Sequence, residues 1–496
     1  MTAYDRLMLR FTRVAIVQEA ISILDWDSEV IMPPGGGLAR ADQVAVLAGV
    51  THTLMTEPAV ADDLAAAEAG SAKTDDPWHA ANLRHMRRQH TRSVALPTDL
   101  VEARSRANSL CEQAWRDACP QSDFASVRPL LTEVFRLARE AAQALSEALD
   151  LPPYDALMDG FQRGITAVEV EPVFARYTTF LASALAEAEV RQKTAVPLDA
   201  SFPIARQQDL CRMVAQRIGL DFRHARLDAS AHPFCGGHSA DIRVTTRYDE
   251  ADPAQALFAV AHECGHAVYE AGLPAAWTRQ PVGSAAGMAA HESQSLIIEM
   301  QACRSDAFLS WLSPVLYTTF GGNQAAFAPA NLARLWRRVE PGFIRVDADE
   351  MTYPAHVALR FDLERALLAG NLAIADLPAA WNDEMRCRLG ITPPNDSLGC
   401  LQDIHWYAGL IGYFPNYTLG AIAAAQLMAA VRQDASGLDA ALARGDFTPL
   451  MAWLRTRVHA QGAVYGLNEL LVHATGKPLD IADFETHLRA RYLGMG

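Results

Sequence analysis

The sequence has no excess of basic residues, and this absence limits its possible partners. The 496 residues include 43 lysines and arginines against 58 aspartates and glutamates, which gives a formal net charge of −15 and a pI of about 5.5. A protein that binds nucleic acid needs a basic footprint for the phosphates. We therefore expect no nucleic-acid partner.

Cysteine is scarce, and its spacing excludes two common kinds of site. Only eight cysteines occur, and no two of them form a C-x-x-C pair. Zinc ribbons and thioredoxin-like redox motifs both need such pairs. Eight cysteines in this length are too few for a disulfide scaffold, so we expect free thiols in a reducing cytosol.

Long apolar runs are missing as well. No stretch reaches the roughly 18 apolar residues that a membrane span needs, and the longest candidate, residues 419–431, is interrupted by Gln426. The N-terminal segment is broken by Arg10, Arg13 and Glu19, which does not match the layout of a signal peptide. We predict a cytoplasmic protein with no membrane association.

Helical patterns fill most of the chain. Apolar residues recur every three to four positions in residues 6–27 and again in residues 127–150. One segment, residues 240–250, alternates instead, with Ile242 and Val244 separated by polar residues, as in a strand. We predict a mainly α fold with a small β-sheet beside the helix that follows this strand.

That helix has clear ends and an apolar body. Asp252 and Pro253 supply an N-cap and a first-turn proline, while Gly272 marks the other end, so the pattern predicts a helix over residues 253–271. A helix that is apolar nearly all round is buried. Three polar residues in its middle therefore need an explanation.

The three polar residues in the middle of this helix, His262, Glu263 and His266, have the spacing of a metal site. The two histidines are four residues apart, so both imidazoles leave one face of the helix and can reach a single metal ion. Glu263, offset by one position, can stand beside the ion and polarise a bound water. This is the H-E-x-x-H arrangement of zinc hydrolases. Two core histidines with a surface glutamate are the alternative, which the capped apolar helix disfavours.

A catalytic zinc needs a third protein ligand, and this helix cannot supply it. Glu270 lies eight residues from His262, about 12 Å along the helix axis. The next helix, predicted over residues 287–312, offers Glu292 and, two turns further on, Glu299. We favour Glu292, because its neighbours are polar in an otherwise apolar helix, and keep Glu299 as the competitor.

Further motifs accompany these residues in a fixed order. They are H-P-F at His232, D-x-R-x-T at Asp241, H-E-x-x-H at His262, H-E-S-x-Q at His291, I-R-x-x-A-D at Ile344 and G-x-x-Q-D-x-H-W at Gly399. With this set the chain resembles the Taq-type thermostable metallocarboxypeptidases, a zincin family of homodimeric helical enzymes. The resemblance extends to residues 24–49 and 154–161, and thus covers nearly the whole chain.

The resemblance implies a metal site and a fold. The ligands would be His262, His266 and Glu292, and the metal would be Zn²⁺, with Co²⁺ as an effective substitute. Glu263 would be the general base and acid. We expect residues 1–496 to form a single catalytic domain, a large helical metallopeptidase fold with a deep central groove, and to pair as a homodimer.

Peptide hydrolysis also needs a donor for the oxyanion that develops on the scissile carbonyl. His405, Tyr413 and Tyr417 are the candidates, because they lie in the aromatic-rich segment that carries the last motif. The choice among the three stays open. Core packing is the alternative role for the two tyrosines.

Release of a C-terminal residue requires a cation for the free carboxylate, and the planar fork of arginine matches a carboxylate best. Arg243 and Arg345 are the candidates by motif. Each has a structural alternative, since Asp241 lies beside Arg243 and acidic residues at 347–350 follow Arg345.

Three other polar residues have candidate roles in substrate binding or in helix stability. His232 and Gln402 are candidates for binding the substrate backbone. Arg360 stands four residues before Glu364, so we expect these two to form an ion pair on the face of a helix.

The predicted function is a zinc-dependent carboxypeptidase with broad specificity, which acts on peptides with a free C-terminus by means of a water activated by Glu263. The first alternative is an endopeptidase or oligopeptidase with the same zinc chemistry. A non-catalytic scaffold and a zinc-dependent binding module are alternatives of other classes. The complete H-E-x-x-H motif and Glu292 argue against the scaffold.

Overall fold

The computed structural model describes residues 1–71 and 75–494. Its α-helices are α1 Ala3–Val30, α2 Gly37–Thr56, α3 Pro58–Ser71, α4 Pro77–Ala95, α5 Thr98–Gln121, α6 Phe124–Leu149, α7 Pro153–Met158, α8 Ala167–Arg191, α9 Ile204–Ile218, α10 Pro253–Gly272, α11 Met288–Leu296, α12 Asp306–Phe320, α13 Pro329–Trp336, α14 Tyr353–Ala369, α15 Leu377–Leu389, α16 Pro415–Asp434, α17 Leu438–Leu442, α18 Thr448–Arg457, α19 Leu467–Thr475 and α20 Ile481–Leu493. The strands are β1 Ala225–Ala229, β2 Cys235–His238 and β3 Asp241–Thr246. The prediction of a mainly α protein with a small sheet is confirmed.

The chain divides into two compact units. The first contains Met1–Ser93, Lys193–Trp336 and Gly420–Asp480. The second contains Val94–Gln192, Arg337–Leu419 and the C-terminal segment from Ile481. Among the described residues no single helix is long and apolar enough to cross a bilayer, although one bent pair, Pro34–Thr56 with Pro58–Gly70, meets the length and composition criteria together.

The sheet of the first unit packs beside α10, as predicted. Its strand order is β1-β3-β2, with β1 parallel and β2 antiparallel to β3. Ile242 and Val244 of β3 are buried, as their alternation predicts. Thr245 is buried as well, because its hydroxyl accepts the backbone N–H of Phe234 and lies 2.7 Å from the hydroxyl of Ser230. A tertiary contact thus overrides the period-two pattern at that end of the strand.

Helix α10 is the central element of the first unit. Its N-cap is Asp252, whose carboxylate accepts the N–H of Ala254 at 2.9 Å, and it ends at Gly272, one residue beyond the predicted end. Most of its side chains are buried, including Leu257 and Val260. The predicted buried helix is confirmed.

Helices α10 and α11 touch backbone to backbone at Gly265. A Cβ atom built on Gly265 would lie 2.3 Å from the carbonyl oxygen of Gln294 and 2.5 Å from the Cα atom of Ser295. Only glycine permits so close an approach. Because Gly265 lies between the two histidines of the motif, the contact sets the distance across which α11 faces them.

In the second unit the buried helix is α14, which packs against α6, α8 and α15. Three polar side chains on it, those of His356, Arg360 and Glu364, have no exposed surface. Burying charged groups is costly unless each finds a partner. The core of this unit is therefore organised by polar contacts as well as apolar packing.

The substitution Gly265→Ala tests the close helix contact. The added methyl group must push α11 away, and we expect a loss of roughly 1–3 kcal/mol in the free energy of unfolding, as overpacked cores show. Denaturant unfolding measures it. Gly49→Ala in α2 is the matched control, because among the described residues no atom beyond the adjacent part of α2 lies within 4 Å of the new methyl group, and alanine there should stabilise the helix. Equal stability of the two variants would contradict the contact.

Candidate metal centre and active site

Two imidazoles and one carboxylate converge between α10 and α11. The Oε2 atom of Glu292 lies 3.8 Å from Nε2 of His262 and 3.6 Å from Nε2 of His266. One donor atom from each of the three residues lies within 4.8 Å of the other two. The structure thus brings together the three residues that the sequence predicts as ligands.

These separations fit a metal ion better than direct hydrogen bonds. They exceed normal hydrogen-bond lengths, whereas the donors of a tetrahedral ion with bonds of about 2 Å stand roughly 3.3 Å apart. Two imidazole nitrogens and one carboxylate oxygen are also a common donor set of catalytic zinc sites, in which a fourth position is left to water. The residues present therefore fit a catalytic divalent ion.

Each histidine is held at its other ring nitrogen. Nδ1 of His262 lies 3.1 Å from Oε2 of Glu299, and Nδ1 of His266 lies 3.1 Å from the carbonyl oxygen of His291. Acceptors at these positions keep the proton on Nδ1 and leave Nε2 for a metal. Glu299, the competitor for the third ligand, therefore contacts His262 from the side away from Glu292.

Glu299 belongs to a π-helix, Ile297–Cys303, which continues α11. Its Oε1 atom accepts a hydrogen bond from Arg304 at 2.8 Å, and the Arg304 guanidinium also lies 4.2 Å from the ring centre of Phe258. Burial raises the pKa of Glu299, but Arg304 and His262 outweigh burial, so the pKa falls below its ordinary value. Glu299 is thus a carboxylate that orients His262.

The surroundings shift the pKa values of the two histidines in opposite directions. Burial lowers the pKa of His262, but the carboxylates of Glu292 and Glu299 outweigh burial and raise the pKa to about 10. Burial, together with the neighbouring His291 and His262, lowers the pKa of His266 well below its ordinary value. Because a metal binds the deprotonated form of an imidazole nitrogen, protonation of His262 opposes metal binding.

Glu263 has the properties of a general base. The residue is buried, and burial, with a further contribution from Glu292, raises the pKa of its carboxyl group to about 7. The neighbouring His262 and His291 act in the opposite direction. A group with a pKa near 7 can take and return a proton at neutral pH.

Small neighbours fix the position of Glu292. On α16, a Cβ atom at Gly420 would lie 2.7 Å from both Cβ and Cγ of Glu292, so only glycine leaves room for this side chain. The hydroxyl of Ser295 lies 3.3 Å from Oε2 of Glu292.

A cavity of about 480 Å³ adjoins the cluster. It is lined by His291, whose ring stacks on that of His266 with centroids 4.5 Å apart, and by Glu270, whose Oε1 lies 2.9 Å from Nε2 of His291. Glu19 and Arg279, which form an ion pair at 2.8 Å, line another part of it. The three proposed ligands themselves do not line this cavity.

Arg243, on β3, is held from two sides. It makes two hydrogen bonds of 2.8 Å to the carboxylate of Asp241, and its guanidinium lies 4.4 Å from the ring centre of Trp26. The pairing with Asp241 that the sequence suggested is present. The Asp241 side chain is 51% exposed and the Arg243 side chain 15% exposed, so the carboxylate faces water while the guanidinium is largely covered.

In the second unit, Arg345 forms a buried ion pair with Asp403. Its Nη2 and Nε atoms donate to Oδ1 of Asp403 at 2.7 and 3.1 Å, and Nη1 donates to the hydroxyl of Tyr353 at 2.9 Å. The structural alternative for Arg345, an ion pair, is therefore present, but with Asp403 rather than with the acidic residues at 347–350. Asp403 is buried next to the guanidinium and needs a counter-charge.

The expected ion pair between Arg360 and Glu364 is wrong. Nε of Arg360 donates to Oδ2 of Asp403 at 2.7 Å, while Glu364 accepts hydrogen bonds from Tyr154 at 2.7 Å and Trp406 at 2.8 Å. An i,i+4 pair stabilises a helix by only about 0.2–0.5 kcal/mol. On a buried helix, partners from other elements outweigh it.

The three oxyanion candidates form one cluster in the second unit. Nε2 of His405 lies 3.0 Å from the hydroxyl oxygen of Tyr417, and the ring of Tyr413 lies 5.3 Å from that of Tyr417. Burial, aided by Arg345 and Arg360 and opposed by Asp403, lowers the pKa of His405 to about 4. The imidazole is therefore neutral at neutral pH.

The two candidates for binding the substrate backbone differ in whether their polar atoms already have partners within the protein. His232 is exposed in the loop before β2. Gln402 has its amide engaged within the protein, because its oxygen accepts from Arg345 and Arg360 and its nitrogen donates to the carbonyl groups of Phe343, Leu398 and Gly399. Binding of substrate by either residue stays a prediction.

Sequence reasoning missed the role of Asp403, which is the shared partner of two buried arginines. Burial raises its pKa, but Arg345 and Arg360 outweigh burial and hold the pKa far below the ordinary value. The signal was available, since Asp403 lies inside the G-x-x-Q-D-x-H-W motif, two residues before His405.

Comparison with known proteins gives a consistent family. Residues 6–492 match the family model described as Carboxypeptidase Taq (M32) metallopeptidase. The chain is 35% identical to Thermostable carboxypeptidase 1 of Thermus thermophilus, with 99% of each chain covered, and 33% identical to the protein of that name from Pyrococcus furiosus, with 98% covered. Its structure matches Trypanosoma cruzi metallocarboxypeptidase 1 with a TM-score of 0.96, at 36% identity over 99% of both chains.

The substitution Glu299→Gln tests the support of His262. It removes the charge that orients the imidazole, so we expect metal affinity to fall roughly 10- to 100-fold, as for other carboxylates behind histidine ligands. Titration of the metal-free protein against a chelator of known affinity measures this. Glu270→Gln is the matched control, because Glu270 contacts His291 and no proposed ligand. Equal metal affinity in both variants would contradict the assignment.

Proposed function

The chain belongs to the carboxypeptidase Taq (M32) metallopeptidase family, and we propose that it is a zinc enzyme that removes single amino acids from the C-terminus of peptides with broad specificity. Family membership and full-length similarity to named carboxypeptidases make it a metallocarboxypeptidase, a peptide hydrolase that uses a divalent metal. The observation that carries the mechanism is the convergence of His262, His266 and Glu292 beside Glu263.

We assign the metal ligands to His262, His266 and Glu292. Zinc is the proposed ion, because two imidazoles and a carboxylate suit it, and Co²⁺ is the proposed substitute. When bound, the ion makes a coordinated water more acidic and polarises the scissile carbonyl group. Glu299 and the carbonyl group of His291 keep both imidazoles turned toward the ion.

Glu263 moves the protons of the reaction. It takes a proton from the attacking water and passes it to the leaving amine, which its pKa of about 7 supports. The oxyanion needs a further donor, which we assign to the cluster of His405, Tyr413 and Tyr417. A neutral His405 beside the Tyr417 hydroxyl group supports this assignment.

The free carboxylate of the substrate needs an arginine, and Arg243 and Arg345 are the proposed candidates. Opening the pair of Arg345 would leave the buried carboxylate of Asp403 with only one cation, which is costly. Opening the pair of Arg243 exposes Asp241 to water at little cost. This difference favours Arg243 for direct contact. His232 is proposed to bind the substrate backbone, and Gln402 to do so beside Arg345.

We propose that residues 1–496 form a single catalytic domain with a deep groove. A homodimer is the proposed assembly, which the exposed apolar side chains of Leu38 and Val46 on α2 support. A cytoplasmic location is proposed because all eight cysteines are unpaired. The net charge supports a protein without nucleic-acid partners, and no membrane partner is proposed.

A peptide ladder tests the proposal. The metal-loaded protein is incubated with a mixed-sequence peptide, and the products are read by mass. We expect successive losses of one C-terminal residue, and no cleavage of the same peptide with an amidated C-terminus. Internal cuts in both peptides would favour the endopeptidase instead. Glu263→Gln is the catalytic control: it should bind metal normally and lose turnover by roughly 10²- to 10⁴-fold.

A further inference from the structure

Helix α14 contacts the segment Gln402–Trp406 on both sides of His405. On one side, Arg360 donates from Nε to Asp403 at 2.7 Å and from Nη2 to the amide oxygen of Gln402 at 2.8 Å. One helical turn later, Glu364 accepts the indole N–H of Trp406 at 2.8 Å. Two side chains that are spaced to pair with each other are both directed at this one segment.

We propose that Arg360 and Glu364 act as a two-point clamp, a pair of positioning residues that hold His405 in place for catalysis. This inference rests on the proposed role of His405 and Tyr417 as donors to the oxyanion. Neither clamp residue touches substrate in this account. Each acts through side chains that lie next to His405 in the chain, those of Gln402 and Asp403 for Arg360 and that of Trp406 for Glu364.

Burial of the clamp supports a positional role. Arg360 and Glu364 have no exposed surface, and a buried charge is costly unless it is hydrogen-bonded. Glu364 meets this condition through Tyr154 at 2.7 Å, Trp406, and the backbone N–H of Gly412. An apolar residue would fill the same space without that cost, but it would not fix the indole of Trp406.

The position of the His405 ring depends on these side-chain contacts with its chain neighbours. Its Nδ1 atom lies 3.9 Å from Oδ1 of Asp403, which is beyond hydrogen-bonding distance, so Asp403 does not orient the ring directly. Nε2 does have a partner, the Tyr417 hydroxyl group at 3.0 Å. A shift of the backbone between Asp403 and Trp406 would therefore move the ring away from Tyr417.

Glu364 also ties a further segment to the same loop. Tyr154 and Phe161 belong to one of the segments that resemble the family, and Tyr154 donates to Glu364. Phe161 packs edge-on against Tyr413 with ring centroids 5.1 Å apart. A Cβ atom at Gly412 would lie 2.9 Å from the backbone nitrogen of Met158. The loop from Trp406 to Tyr413 is thus held at both ends.

The test compares Glu364→Ala, Glu364→Gln and Trp406→Phe in the metal-loaded enzyme. Glu364→Ala removes the oxygen atoms that accept from Tyr154 and Trp406. Trp406→Phe removes the indole N–H that donates to Glu364. We expect kcat to fall roughly 10- to 100-fold in both, as for misplaced catalytic groups, with KM changed less than about threefold and metal affinity unchanged. Glu364→Gln should retain at least about half of kcat, because an amide oxygen can still accept from Trp406.

The matched control is Asp362→Asn. Asp362 lies on α14 between the clamp residues, but its partner is Arg388 and it does not contact the segment Gln402–Trp406 through any hydrogen bond. We expect an unchanged kcat. Thermal unfolding is recorded for every variant, and if Glu364→Ala does not fold, Trp406→Phe carries the test alone.

His405→Ala separates failure of the clamp from failure of the proposed function. If His405→Ala lowers kcat while Glu364→Ala and Trp406→Phe do not, the clamp is wrong and the role of His405 stands. If His405→Ala keeps the wild-type kcat, the role of His405 is wrong, and the clamp falls with it. The clamp would also be overturned if kcat fell in proportion to the melting temperature in every variant and if Glu364→Gln lost as much kcat as Glu364→Ala.

Discussion

One carboxylate oxygen between two imidazole nitrogens is the interaction on which the catalytic unit depends. Oε2 of Glu292 faces Nε2 of His262 and His266 at 3.6–3.8 Å, in the interior of the first unit. Such a group is unfavourable to bury unless its charge is paired or coordinates a cation. The glycine contact between α10 and α11 and the contact of Glu299 with His262 hold this arrangement in place.

The second unit also buries charged side chains, but in the network around Asp403 the cations outnumber the carboxylates. There, two buried guanidinium groups, those of Arg345 and Arg360, share the single carboxylate of Asp403. Separating one member from such a network leaves an uncompensated buried charge, which is costly. This cost keeps the three side chains in place. The network adjoins His405 and Tyr417, and the role proposed for these two residues would require such rigidity, since donors to a developing oxyanion work best when they are already in place.

Much of this could be predicted from local pattern. The ends of α10 follow from its cap and its apolar body, and the two histidine ligands follow from their spacing. Contacts from distant parts of the chain could not be predicted in this way. The local rule paired Arg360 with Glu364, but a weak helical pair does not compete with buried partners. The choice between Glu292 and Glu299 depended on how α11 packs, which periodicity alone does not reveal.

Anomalous diffraction at the zinc edge, from crystals of the zinc-loaded protein, tests whether His262, His266 and Glu292 bind one ion. We expect one strong peak per chain, within about 2.3 Å of Nε2 of His262, Nε2 of His266 and an oxygen of Glu292. Glu299 should remain outside bonding distance, in contact with Nδ1 of His262. A peak bound by Glu299 in place of Glu292, or the absence of a peak at these three residues, would contradict the account.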